Sequence, residues 1–396
     1  MICHIIVKNN HKNHTIMRKL NLFIVMLLSL IWVTNVTAQE KKFKKTVKIN
    51  GRIQYDYEFL KRDKADEWFN GNEFRRVHLS AAGKVSPHLK YKVEVSFAHA
   101  QIGFRDVYLK YTAGKLGNFA VGSMAEPTGL AMATSSKYIP FFERPMLTSM
   151  QNFRWASGLH YENFGLFDGK ATLQMALTNN GASAEGFKDK HLEAGNNFVA
   201  RITSAPVNDG AKVLHLGLNY ASRPAKDLKF RPENHMGEKY HYTFDAATGR
   251  KELGFELAGT FNNISLQGEY KTENVANDAD KDYNISGYYV MGSFFLTGEH
   301  RPYKHGAFGR VKPKKDIDNG GYGAFELAVR YSNMTPSQDV IDGNPAMPET
   351  INNLTFGLNW YLTSHVRMMY NYVVTDDGND VLGNLSGHLI RVQIDF

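Results

Sequence analysis

Apolar and polar residues alternate with a period of two along most of this chain. In 46–59, TVKINGRIQYDYEF, the residues Val47, Ile49, Ile53, Tyr55, Tyr57 and Phe59 share one parity. Lys48, Asn50, Arg52, Gln54, Asp56 and Glu58 share the other. A β-strand points alternate side chains to opposite faces, so this stretch predicts a strand with one apolar and one charged face. The pattern returns at Tyr91–Phe97, Leu214–Tyr220, Leu253–Leu257, Phe325–Tyr331, Leu354–Leu362 and Val366–Tyr372. The chain ends inside such a segment, HLIRVQIDF, with Ile390, Val392, Ile394 and Phe396 on the apolar parity. About sixteen segments of this kind lie between Lys45 and Phe396. No later run is apolar over the roughly 18 residues a spanning helix needs.

The connections differ in length. Short ones are expected at 163–170, 261–263 and 362–365, and long polar ones at 222–252, 299–320 and 333–351. Short turns on one side and long loops on the other characterise outer-membrane barrels. A soluble sandwich or propeller would alternate in the same way. Three features favour the membrane: aromatics gather near segment ends as interfacial girdles do, charges persist on the polar face in mid-segment, and the N-terminus carries an export signal. The predicted fold is therefore all-β: a transmembrane antiparallel barrel of about sixteen strands. Closure requires the last segment to pair with the first, because an open sheet edge is not tolerated in lipid.

The export signal begins at Met17. Arg18 and Lys19 precede an apolar stretch from Leu20 to Val33, and Val36-Thr37-Ala38 fits a peptidase site. Residues 1–38 are expected to be an upstream extension plus a signal peptide cleaved after Ala38, leaving 39–396 as one barrel domain in the outer membrane of a Gram-negative bacterium. Cleavage alters the charge argument. The whole chain has 47 Lys and Arg against 39 Asp and Glu, a net +8. The leader removes Lys8, Lys12, Arg18 and Lys19, leaving +4. Only KKFKK at 41–45 remains as a basic run, so no nucleic-acid partner is expected. Cys3 is the only cysteine, which excludes disulfides and thiol chemistry from the mature chain. The histidines are scattered over different segments with no nucleophile motif, so no enzyme activity is expected. No metal motif or cofactor signature is present.

One stretch breaks the alternation. Residues 116–147, LGNFAVGSMAEPTGLAMATSSKYIPFFERPML, are too long for a turn, and a long ordered loop in a barrel is usually functional. It is read as a loop folded into the lumen to narrow it. Thr134, Ser135, Ser136, Lys137 and Arg144 offer hydroxyls and cations that replace the hydration shell of an oxyanion. The alternative is an ordinary surface loop in which Ser135 or Ser136 starts a short helix.

The stretches GRIQYDY (51–57), FRRVHL (74–79), TSSKYIPFFER (134–144), FELAVRYS (325–332), LTFGLNWY (354–361) and the terminal Phe396 occur in that order. In this the chain resembles the phosphate-selective porins O and P over nearly its whole mature length. The resemblance implies a homotrimer and an anion pathway whose central phosphate site is formed by Arg75, Arg76, Ser135 and Ser136, with Arg144 nearby; the loop's own chemistry adds Lys137. It also implies that the C-terminal strand is read by the barrel-assembly machinery. Strict alternation places Arg76, His78 and Ser80 in the lumen but gives Arg75 the lipid parity. A midplane charge there would cost roughly 2–4 kcal/mol, so Arg75 must lie beyond the apolar band, on a β-bulge, or snorkel. The chain departs from the phosphate-specific pattern at Met132 (a lysine there), Ser96 (a carboxylate) and His78 (a tyrosine). The lumen parity also mixes signs, with Arg52, Lys92, Arg201 and Arg391 among Asp56, Glu94, Asp106 and Glu256. The expected function is a passive porin preferring anions such as phosphate or polyphosphate. The alternative is a general diffusion pore, or a channel for small organic anions without phosphate specificity.

Overall fold

The computed structural model describes residues 43–65, 68–98, 102–149, 155–179, 196–278, 280–379 and 381–396. The leader and its cleavage site after Ala38 lie outside the described residues. The strands are β1 (Lys48–Arg62), β2 (Phe69–Lys84), β3 (Leu89–Ser96), β4 (Gly103–Thr112), β5 (Asn118–Ala125), β6 (Trp155–Leu166), β7 (Ala171–Asn179), β8 (Asn197–Asn208), β9 (Lys212–Arg223), β10 (Leu228–Phe230), β11 (Tyr240–Tyr242), β12 (Ala247–Phe261), β13 (Ile264–Asn277), β14 (Tyr283–Phe295), β15 (Tyr303–Lys304), β16 (Ala307–Phe308), β17 (Ala324–Pro336), β18 (Ile351–Tyr361), β19 (Val366–Asp376) and β20 (Leu385–Asp395). Sixteen of them close one barrel in sequence order; β10–β11 and β15–β16 are separate two-stranded hairpins inside connections.

The seam is antiparallel β1–β20 pairing, running from Arg52↔Asp395 to Arg62↔Leu385. Gly51 and Phe396 complete it with reciprocal backbone bonds, Gly51 N–H to Phe396 O at 2.9 Å and Phe396 N–H to Gly51 O at 3.1 Å. Period-two alternation becomes two environments here. Ile390, Val392 and Ile394 are 43–45% exposed on the outer face, while Arg391, Gln393 and Asp395 are at most 3% exposed inside. The same sorting holds at Leu253, Phe255 and Leu257, which face outward, against the buried Glu252 and Glu256.

Of the three exits open to Arg75, the structure takes the bulge. Gln54 pairs with Arg76 and Tyr55 with Phe74, so Arg75 is the extra residue of β2. The bulge turns a residue of lipid parity inward, where its side chain is only 12% exposed. The charge is kept out of the apolar band by local geometry.

One expectation about the connections is corrected. The segment 296–323, between β14 and β17, does not belong with the long outer loops. Ile264 pairs with Phe294 and Ala324 with Tyr361, so this segment leaves the rim that carries the tight turns at 262–263 and 362–365 and the chain terminus. The long connections that follow β5, β9 and β17 leave from the opposite rim. Sequence spacing reports the length of a connection, not the rim it leaves, and a miscounted strand reverses the assignment.

Candidate functional site

Among the described residues, three connections enter the barrel, and their packing decides where space remains. The first is 126–149. Glu126 begins it, accepting hydrogen bonds from Thr178 Oγ1 at 2.7 Å and Arg223 Nη2 at 2.8 Å. The short helix lies at Leu130–Ala133, ahead of Thr134-Ser135-Ser136, so neither serine starts a helix. Phe141 and Phe142 are at most 1% exposed. The guanidinium of Arg330 lies 4.4 Å from the Phe141 ring, and that of Arg391 4.5 Å from Phe142. Backbone groups of the loop bond to the far wall: Arg367 Nη1 donates to Ile139 O, Asn359 Nδ2 to Pro140 O, and Arg391 Nη1 to Phe142 O, at 2.8–2.9 Å. The loop therefore crosses the lumen and docks on β17–β20.

The second inward segment is 224–246, which carries the β10–β11 hairpin. Its Glu233 is 2% exposed and accepts from Arg330, Ser332 and Asn353, and from the Met146 N–H of the first loop at 3.1 Å. Leu228, Phe230, Tyr240 and Tyr242 form one apolar core with Met146, Leu147, Ile285 and Met334. The third is 296–323. Its β15–β16 hairpin turns at His305 and Gly306, both with positive φ, as a tight two-residue turn requires. Gly306 O accepts from Arg201 Nη2 at 2.8 Å, and the Phe308 N–H reaches Thr134 Oγ1 at 3.3 Å. Arg310 bonds Asp395 and, at 3.3 Å, the Tyr138 hydroxyl. Segments from both rims thus meet inside the barrel.

Most interior cations are consumed by this packing. Arg391 holds Asp56 through two bonds at 2.5–2.6 Å, Arg201 holds Glu256 at 2.6–2.9 Å, and Arg330 holds Glu233 at 2.5–2.9 Å. Each of these arginines is at most 2% exposed. Breaking such a buried pair by removing one partner costs about 3–5 kcal/mol, so these charges act as rivets.

Space remains on the opposite side, between the first loop and the wall of β1–β4 and β6. A cavity of about 390 Å³ there is lined by Arg52, His78, Lys92, Glu94 and Asp106 from the wall, by Met132, Ser135, Ser136, Lys137 and Arg144 from the loop, and by Trp155. Arg52 Nη1 donates to Ser136 Oγ at 2.5 Å, and its Nη2 lies 2.6 Å from His78 Nδ1 and 3.8 Å from Glu94. Lys92 Nζ lies 2.5 Å from Glu94 and 2.7 Å from Asp106. Lys137 Nζ is 3.2 Å from Asp395. Arg144 bonds Ala131 O and Thr134 O, each at 2.7 Å, and so folds the loop while bordering the cavity.

The expected site residues separate into two groups. Ser135, Ser136, Lys137 and Arg144 line the cavity; Arg75 and Arg76 are not among its lining residues. Glu143 takes them instead. Arg75 grips its carboxylate at 2.7 and 3.0 Å, and Arg76 at 3.3–3.4 Å while also donating to Gln54 Oε1 at 2.9 Å. Burial alone would raise the pKa of Glu143, but Arg75, Arg76 and Arg391 outweigh it and hold the carboxyl well below the usual carboxylate range. Arg52, Lys92, Glu94 and Asp106 were visible only as lumen-parity charges; their convergence on one cavity depends on the register of β1 through β4. Met132 and His78, two of the departures from the phosphate-specific pattern, both border this cavity.

The chain matches the family model described as phosphate-selective porin O and P over residues 47–396. Porin O of Pseudomonas aeruginosa is 28% identical over 91% of this chain and 90% of that protein. Among solved structures, an anion-selective porin from Comamonas acidovorans aligns with a TM-score of 0.61 at 12% identity, covering 89% of this chain and all of that one. Pseudomonas putida OprB aligns at 0.63 with 10% identity, covering 89% and 94%. At these identities the solved structures establish the fold alone. The whole-barrel family match, on a closed sixteen-strand barrel with an inward loop, places this chain in the phosphate-selective porin O and P family, a porin of the Gram-negative outer membrane.

Proposed function

We propose that this porin is a passive channel with a preference for anions, phosphate among them, and that solutes pass the cavity beside the inward loop. The observation that carries this reading is the charge of the lining. Arg52, Lys92, Lys137 and Arg144 stand against Glu94 and Asp106, an excess of cations in a confined space. One charge pair at 4 Å is worth about 1 kcal/mol in water and about 4 kcal/mol at an effective dielectric of 20, enough to enrich anions. A conducting site must also release its ion, so modest attraction suits transport. Arg52, Ser136 and Lys137 are assigned the contacts to the anion, Ser135 and Arg144 support them, and Arg75 and Arg76 hold the loop through Glu143. The family match supports phosphate as one cargo. Met132, apolar where the phosphate-specific pattern has lysine, favours a second reading: a channel for small organic anions without phosphate specificity.

The same proposal includes export by a signal peptide cleaved after Ala38, assembly as a homotrimer, recognition of the last strand by the assembly machinery, and transport without catalysis. The test is the zero-current potential of purified protein in a planar bilayer under a KCl gradient, repeated with added phosphate. Chloride preference with a phosphate-dependent fall in current supports the reading. Cation preference overturns it.

A further inference from the structure

The cavity contains two carboxylates that an anion path does not need. Asp106 and Glu94 share a single ammonium, Lys92 Nζ, at 2.7 and 2.5 Å. Glu94 also lies 3.8 Å from Arg52, so the wall sets two cations against two carboxylates, and Asp106 meets a cation only through the shared ammonium. Asp106 is also the most accessible member of the trio, 25% exposed against 12% for Glu94. Its second oxygen accepts the Trp155 indole N–H at 2.9 Å, which fixes the carboxylate at the cavity edge. The loop side is richer in cations: Lys137, 23% exposed and 3.2 Å from the buried Asp395, and Arg144. The two faces make a confined space with a net positive charge and a transverse field, in which low-dielectric walls concentrate the potential.

We infer that this cavity passes small zwitterions, molecules with one ammonium and one carboxylate such as free amino acids, in preference to neutral solutes of the same size. The inference rests on the reading of this cavity as the anion path and specifies a second solute class for it. A zwitterion aligned across the cavity places its carboxylate toward Lys137 and the Arg52–Ser136 pair, and its ammonium toward Asp106. Both ends are stabilised at once. A neutral polyol gains neither contact, and a simple anion gains one while meeting the carboxylates. For a zwitterion, which has no net charge, orientation across the cavity is the selecting quantity.

The test uses the full mature protein in proteoliposomes and compares uptake of radiolabelled L-alanine with radiolabelled glycerol. Wild type should admit alanine roughly three- to five-fold faster, the ratio expected of one favourable charge contact in a largely aqueous space. In E94Q/D106N that ratio should fall to about one while the chloride preference in a KCl gradient rises, since removing lumen carboxylates leaves the cations unopposed. D106N alone leaves the Lys92–Glu94 pair intact and should move both readouts the same way, which covers failure of the double variant to assemble. K137Q should lower both the alanine ratio and the chloride preference. Equal alanine and glycerol uptake in wild type, or a ratio unchanged in D106N, overturns the inference and leaves the anion reading standing. Cation preference in wild type overturns the anion reading itself.

Discussion

Arg75 grips Glu143 through two hydrogen bonds of 2.7 and 3.0 Å, although the residues are 68 positions apart. The contact joins a bulge on β2 to the inward loop, and Arg76 and Arg391 approach the same carboxylate at 3.3 and 3.6 Å. A buried carboxylate among three guanidiniums is an anion seat already filled by the protein's own side chain. The double arginine therefore anchors the loop, and the cations that border the cavity are Arg52, Lys92, Lys137 and Arg144.

Glu143→Gln should loosen the loop and leave Arg75 and Arg76 uncompensated. Loss of a buried partner is worth about 3–5 kcal/mol of loop docking. Chloride preference should rise, and the folded barrel should convert to its heat-denatured gel mobility at lower temperature. Unchanged selectivity and heat stability would refute the anchoring role.

Arg52→Gln should reduce the zero-current potential more than Arg367→Gln. Arg52 borders the cavity, whereas Arg367 is spent on Ile139 O, Tyr361 and Gln393. The Arg367 variant should instead lower heat stability, because its bond to the loop backbone is lost. Equal effects on selectivity would argue that the anion preference comes from the whole lumen field.

Arg310→Ala should enlarge single-channel conductance. This residue ties the segment 296–323 to Asp395, to Tyr138 and to the Ser364 carbonyl. Releasing it lets the hairpin that reaches Arg201 and Thr134 withdraw from the lumen. The expected change is about two-fold or less, since the Gly306–Arg201 bond remains and one hydrogen bond to a charged group is worth about 1.5–3 kcal/mol. Identical conductance in the variant would show that this segment does not restrict the path.

Deleting Phe396 should impair assembly. It removes the two backbone bonds to Gly51, each worth about 1 kcal/mol, and uncovers the seam at the membrane edge. A Cβ added at Gly51 would fall 2.2 Å from the Phe396 ring, so Gly51→Val should displace that ring and reproduce part of the defect. Normal membrane insertion of the deletion variant would count against the seam as the step that fails.

By itself the sequence determined the barrel. Period-two alternation is a property of single residues, so it survives without knowledge of partners. It identified the strand faces, the closing role of HLIRVQIDF and the need for an exit at Arg75. It also singled out the loop around Ser135, Ser136 and Lys137, because a stretch without alternation stands out. What only the tertiary structure decided is which charges remain available. Parity says that Arg52, Arg76, Arg201 and Arg391 face inward, and it says the same of Asp56, Glu94 and Glu256. Whether a cation is engaged depends on the register of strands and loops distant in sequence, as Glu143 engages Arg75 and Arg76. The rim of the 296–323 segment was equally hidden, because it follows from counting every strand before it. Local pattern sorts side chains to faces; closure and loop docking then pair them, and the balance of signs left around the cavity sets the charge of the path.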